Sequence, residues 1–90
     1  MPNLSEYLLF RFGIAVRMYY GDKGQHNLPH VHVVYQGEEA TVAIPSGELL
    51  GGEVDRKALR KARAWITLNE EAIMERWEKA ARDIHITRID

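Results

Sequence analysis

Three stretches of this chain place apolar residues at every second position, and this pattern constrains the fold more than any other feature. The stretches are residues 14–20, 29–35 and 40–44. Because successive side chains of a β-strand point to opposite faces, such alternation predicts strands with one buried face. The residues expected to face the core are Ile14, Val16, Met18, Val31, Val33, Ala40, Val42 and Ile44.

After Gly52 the apolar residues follow a helical spacing instead. Asp55 is a typical N-cap residue, and the apolar stripe that follows it runs to about Leu68. A second helix is predicted to begin near Asn69, because the segment Thr67-Leu-Asn-Glu70 fits the capping-box pattern. Trp65 and Trp77 are expected to pack in the core between these helices and the sheet.

The two ends of the chain are less regular than its middle. Residues 1–13 fit either a short strand or a coil, and residues 84–89 fit either an edge strand or a surface segment. Strands followed by helices are typical of an α+β domain. The sequence therefore predicts a single domain over residues 1–90, a small antiparallel β-meander of three to four strands with two C-terminal helices packed on one face.

Composition excludes several classes of function. The 90 residues include 12 basic and 13 acidic side chains and no cysteine. The near-zero net charge gives no general attraction to nucleic acid, and the lack of cysteine excludes disulfides, thiolate catalysis and zinc ribbons. No apolar run approaches the length of a membrane span, and the start lacks the layout of a secretory signal. We therefore expect a soluble, cytoplasmic protein without membrane association.

Polar side chains are expected on the sheet face opposite the helices. His30 and His32 are two residues apart on one strand, so their imidazoles share a face. Antiparallel pairing would bring Arg17 and Tyr19 beside them from the preceding strand. Such a face offers a cation for a phosphate or carboxylate and two groups that titrate near neutral pH.

Three interpretations of this face compete. In the first, His30 and His32 bind a metal with His26 or Asp22 from the preceding loop. In the second, the two histidines act as base and acid on a phosphodiester while Arg17 steadies the charge. In the third, the histidines only close a polar face or form a partner interface. The metal spacing is unspecific, so we predict no stoichiometric metal and no cofactor.

The segments Arg17-Met-Tyr-Tyr20 and His26-Asn-Leu-Pro-His-Val-His-Val-Val-Tyr35 resemble a family of small bacterial domains, domain of unknown function family 4160. The resemblance covers about residues 12–78. The loop before His26 is a few residues longer than in the family, and Leu28 replaces a second proline. The resemblance implies a bacterial, cytoplasmic protein often encoded beside another small protein, an arrangement that has prompted toxin–antitoxin proposals.

The functional expectation combines this resemblance with the polar face. We expect a toxin–antitoxin-like component that acts on RNA or nucleotides, with Arg17, Tyr19, His30 and His32 as its catalytic residues. The alternative is a non-catalytic protein-interaction module whose histidines contact a partner protein, so the sequence leaves open whether the protein is an enzyme. The expected partner is a companion protein encoded nearby or a second copy in a homo-oligomer, paired through an exposed edge strand.

Overall fold

The structure is a computed structural model that describes residues 5–19 and 28–81, with side chains described over 11–18 and 28–79. Five strands are followed by two helices in the described residues. The elements are β1 (Ser5–Arg11), β2 (Ile14–Tyr19), β3 (His30–Tyr35), β4 (Glu38–Ala43), β5 (Leu49–Gly52), α1 (Arg56–Leu68) and α2 (Glu70–Ala81).

The strands form one sheet in the order β1-β2-β3-β4-β5, and each strand runs antiparallel to its neighbours. The predicted α+β class, an antiparallel meander followed by two C-terminal helices, is therefore confirmed. The sheet has five strands because residues 5–11, which fitted either a strand or a coil, form β1. Residues 84–89, which fitted either an edge strand or a surface segment, lie outside the described residues.

Two of the hairpins have two-residue turns with left-handed backbone. Phe12 and Gly13 join β1 to β2 with φ of 56° and 75°, and Gln36 and Gly37 join β3 to β4 with φ of 47° and 82°. Positive φ at both turn residues is the signature of a type I′ turn, whose twist matches that of the paired strands. These short connections explain why consecutive strands pair in register.

The core lies between one face of the sheet and the two helices. All eight strand residues predicted to face inward are buried, and Ala58, Ala62, Ile66 and Ile73 from the helices complete the cluster. Trp65 and Trp77 pack against this cluster while remaining partly exposed. The period-two and helical spacings therefore identified the buried faces correctly.

The helix boundaries follow local hydrogen bonds. The Oδ2 atom of Asp55 accepts hydrogen bonds from the backbone N–H groups of Lys57 and Ala58, both at 3.1 Å, which confirms Asp55 as the N-cap of α1. The second helix begins near the predicted position, but Thr67 belongs to α1 and does not cap α2. Instead Asn69 separates the helices, and its side-chain Nδ2 donates to the carbonyl oxygen of Trp65 at 2.9 Å.

One long-range contact fixes α1 against the sheet. The Nε atom of Arg63 donates to the carbonyl oxygen of Gly47 at 2.8 Å, which attaches the helix to the turn after β4. Neither of the two helices in the described residues has the length and apolar character that crossing a membrane requires.

Candidate functional site

The register of the three central strands brings the predicted polar residues together. Arg17 on β2 is the cross-strand partner of His32 on β3, and His32 is in turn the partner of Thr41 on β4. Directly paired residues share a face of the sheet. We use the name histidine face for the surface formed by Arg17, His30, His32, Glu39 and Thr41.

A short contact on the histidine face joins His32 to Glu39. The Nδ1 atom of His32 lies 2.9 Å from the Oε2 atom of Glu39, and the two side chains are 14% and 45% exposed. Glu39 pairs directly with Val34, so it reaches His32 along the diagonal of the ladder. A carboxylate at this position can orient the imidazole. Sequence alone does not identify Glu39 as a neighbour of His32, because only the register of β3 and β4 brings the two side chains together.

His30 is held much more tightly than His32. It is only 4% exposed, and its Nδ1 atom donates a hydrogen bond to the carbonyl oxygen of Leu28 at 2.7 Å. A carbonyl oxygen can only accept, so Nδ1 of His30 carries a proton. The centroid of the His30 ring also lies 5.0 Å from that of Trp77 on α2.

The expectation that His30 projects away from the helices is therefore wrong. Alternation correctly placed His30 and His32 on one face, and their ring centroids are 5.3 Å apart with the planes at 74°. However, His30 is the first residue of β3 and lies at the end of the strand. A helix that covers the other face can reach a side chain at such an end, and Trp77 does so.

The histidine face is partly covered. Ala15 and Ala43, which belong to the same side of the sheet as His30, are 4% and 7% exposed. Arg17, His32 and Thr41 are half-buried. His32 is therefore less deeply buried than His30.

Three candidate residues cannot be placed on this face. Tyr19 is the last residue of β2, but its side chain is not among those that the structure describes. Asp22 and His26 lie outside the described residues. Within residues 5–19 and 28–81, no three side chains of His, Cys, Asp or Glu are grouped so that they could hold a metal ion.

Comparison with known proteins places the chain in a family. Residues 13–78 match the model of the family described as "Domain of unknown function (DUF4160)". The match spans well over half of the sequence, so the chain belongs to this family. No curated protein and no solved structure matches the chain significantly.

Proposed function

We propose that this chain is a toxin–antitoxin-like component that acts on RNA or nucleotides through the histidine face. The observation that carries the proposal is the contact of His32 with Glu39, next to the cross-strand neighbour Arg17. A histidine oriented by a carboxylate is a common form of general acid–base, and a guanidinium is suited to bind phosphate. Family membership is consistent with this proposal but names no activity.

Five residues have separate roles in this proposal. Glu39 contacts Nδ1 of His32, and His32 exchanges a proton with the substrate. Arg17 binds the phosphate, and Tyr19 orients the substrate or stacks on a base. His30 is a positioning residue, because it is buried and its ring supports that of His32. This differs from the expectation that both histidines exchange protons.

For RNA, these roles describe a transesterification. His32 takes the proton of the 2′-hydroxyl as that oxygen attacks the phosphorus. The bond to the 5′-oxygen breaks, and His32 returns the proton to this leaving oxygen. The products are a 2′,3′-cyclic phosphate and a 5′-hydroxyl end. In this proposal Arg17 stabilises the charge of the phosphoryl oxygens.

A second candidate is a non-catalytic interaction module. The burial of His30 and its hydrogen bond to Leu28 favour this candidate, since they give one of the two histidines a structural task. In that case Arg17 and His32 contact a companion protein, and Glu39 contributes charge to the interface.

Induction of the protein in bacteria separates the two candidates. Wild type, His32→Gln and Glu39→Gln are expressed alone, and growth and total RNA are followed. Glu38→Gln is the matched control, since Glu38 precedes Glu39 on β4 and points to the other face. The catalytic proposal expects growth arrest and RNA loss for wild type and Glu38→Gln but not for the site variants, with circular dichroism unchanged. Intact growth and RNA with every variant would favour the interaction module.

A further inference from the structure

Two large apolar side chains are exposed on either side of one groove. Phe12 in the turn between β1 and β2 is 76% exposed, and Leu68 at the end of α1 is 83% exposed. Between them lies a cavity of about 280 Å³, lined mainly by apolar residues that include Trp65. A space of this size takes one or two side chains of another protein better than a whole cofactor.

The described charged residues that line this groove are basic. Arg11 and Lys61 are its charged lining residues, and the described lining contains no carboxylate. The Nζ atom of Lys61 lies 5.4 Å from the centroid of the Phe12 ring, so the cation and the aromatic ring form one contact surface. We call this surface, formed by Arg11, Phe12, Lys61, Trp65 and Leu68, the basic groove. A complementary surface must combine apolar contact with carboxylates.

The same chain carries a surface of that kind on α2. Exposed carboxylates surround the side chain of Met74 and the nearby Pro45. We call this surface the acidic face, and its carboxylates are those of Glu70, Glu71, Glu75 and Glu78. The charge of Glu75 is partly offset by Arg76, whose Nη1 lies 2.7 Å from Oε1 of Glu75. Glu71 is not part of this ion pair, so it is the better residue to test.

The basic groove and the acidic face meet at Leu68. This residue lines the groove, and it also lines the hollow that contains Glu70 and Glu71 at the corner between the helices. In a dimer with a twofold axis near Leu68, the order of the two surfaces would be reversed in the second copy. The basic groove of each copy would then face the acidic face of the other, and the contact would close after two copies.

We propose that the chain forms a symmetric homodimer in which the basic groove of each copy binds the acidic face of the other. The interface is centred on Leu68. It lies at the corner between α1 and α2 and does not involve the unpaired edge of a strand. This inference is independent of the activity proposed for the histidine face.

Charge reversal tests the pairing directly. The mass of wild type, Lys61→Glu, Glu71→Lys and their equimolar mixture is measured by sedimentation equilibrium over a range of concentrations. Each single variant sets like charges against each other at both contacts, so its dimer dissociation constant should rise by more than about tenfold. The mixture should restore the dimer, because a mixed dimer has opposite charges at both contacts. Arg56→Glu, an exposed reversal at the start of α1, is the matched control and should leave the dimer intact.

Several results would overturn the proposal. One is a wild type that stays monomeric at its highest soluble concentration. Another is a dimer that persists in Lys61→Glu and Glu71→Lys, which would place the interface elsewhere. A mixture that remains monomeric while circular dichroism shows folded chains would mean that the two surfaces do not bind each other.

Discussion

The imidazole of His30 packs against the indole of Trp77, with the two ring centroids 5.0 Å apart. This contact divides the roles of two histidines that look equivalent in the sequence. His30 connects the start of β3 to α2, whereas His32 keeps part of its ring accessible beside Glu39. The histidine face therefore contains a deeply buried imidazole beside a partly exposed one, and this difference should be visible in stability measurements.

Replacing His30 should destabilise the fold more than replacing His32. His30→Ala removes the packing on Trp77 and leaves the carbonyl oxygen of Leu28 without its donor, so we expect a loss of about 1–3 kcal/mol in the free energy of unfolding. His32→Ala should cost less, since that side chain is more exposed. Urea denaturation of both variants checks this order. Equal losses would contradict the structural role of His30.

Two adjacent glycines in β5 should respond very differently to alanine. A Cβ atom at Gly52 would lie 2.3 Å from the backbone oxygen of Glu39, and the φ of Gly52 is 74°. At Gly51 a Cβ atom meets nothing within 4 Å. Gly52→Ala should therefore cost roughly 2 kcal/mol or more, and Gly51→Ala should change stability by less than about 1 kcal/mol. Thermal and urea unfolding give the comparison, and a destabilised Gly51→Ala with an unaffected Gly52→Ala would contradict the β4–β5 register.

The turn between β3 and β4 offers a stabilising substitution. Gln36 has a φ of 47° and is exposed, and it precedes Gly37. Asparagine adopts this left-handed conformation more readily than glutamine and is preferred before glycine in type I′ turns. Gln36→Asn should raise the free energy of unfolding by about 0.5–1 kcal/mol. A decrease in stability would show that the turn is of another type in solution.

The sequence predicted the parts of this fold that depend on periodicity. Alternation predicted the eight buried strand residues between positions 14 and 44. The N-cap residue Asp55 predicted the start of α1. The strand β1 could not be assigned, because residues 1–13 lack a clear alternation. The local pattern around His30 also does not predict that Trp77, from α2, packs against it.

The candidate site was predictable only in part for the same reason. Alternation placed His30 and His32 together, and antiparallel pairing placed Arg17 beside them. The contact of Glu39 with His32 depends on the exact register of the β3–β4 ladder, and the contact of Trp77 with His30 depends on the path of α2. Both are properties of tertiary structure.

The purified protein should contain no stoichiometric metal. Two histidines are fewer than the three or four protein ligands of a typical zinc site, and no third His, Asp or Glu of the described residues is grouped with them so that the three could hold a metal ion. Elemental analysis of untagged protein measures the metal content. About one zinc or nickel per chain that is lost in His32→Ala would overturn this prediction.

The most direct test of the central claim is cleavage of a short RNA by the purified protein. An oligonucleotide with one ribose in a deoxyribose background restricts cleavage to one bond, and the all-deoxy oligonucleotide is the substrate control. The proposal predicts a 2′,3′-cyclic phosphate product from wild type and Glu38→Gln, and no product from the control. The rate should fall by about 100-fold or more in His32→Gln and by about tenfold or more in Glu39→Gln. No cleavage by folded wild type, or equal rates in wild type and His32→Gln, would contradict the assignment of the histidine face as a catalytic site.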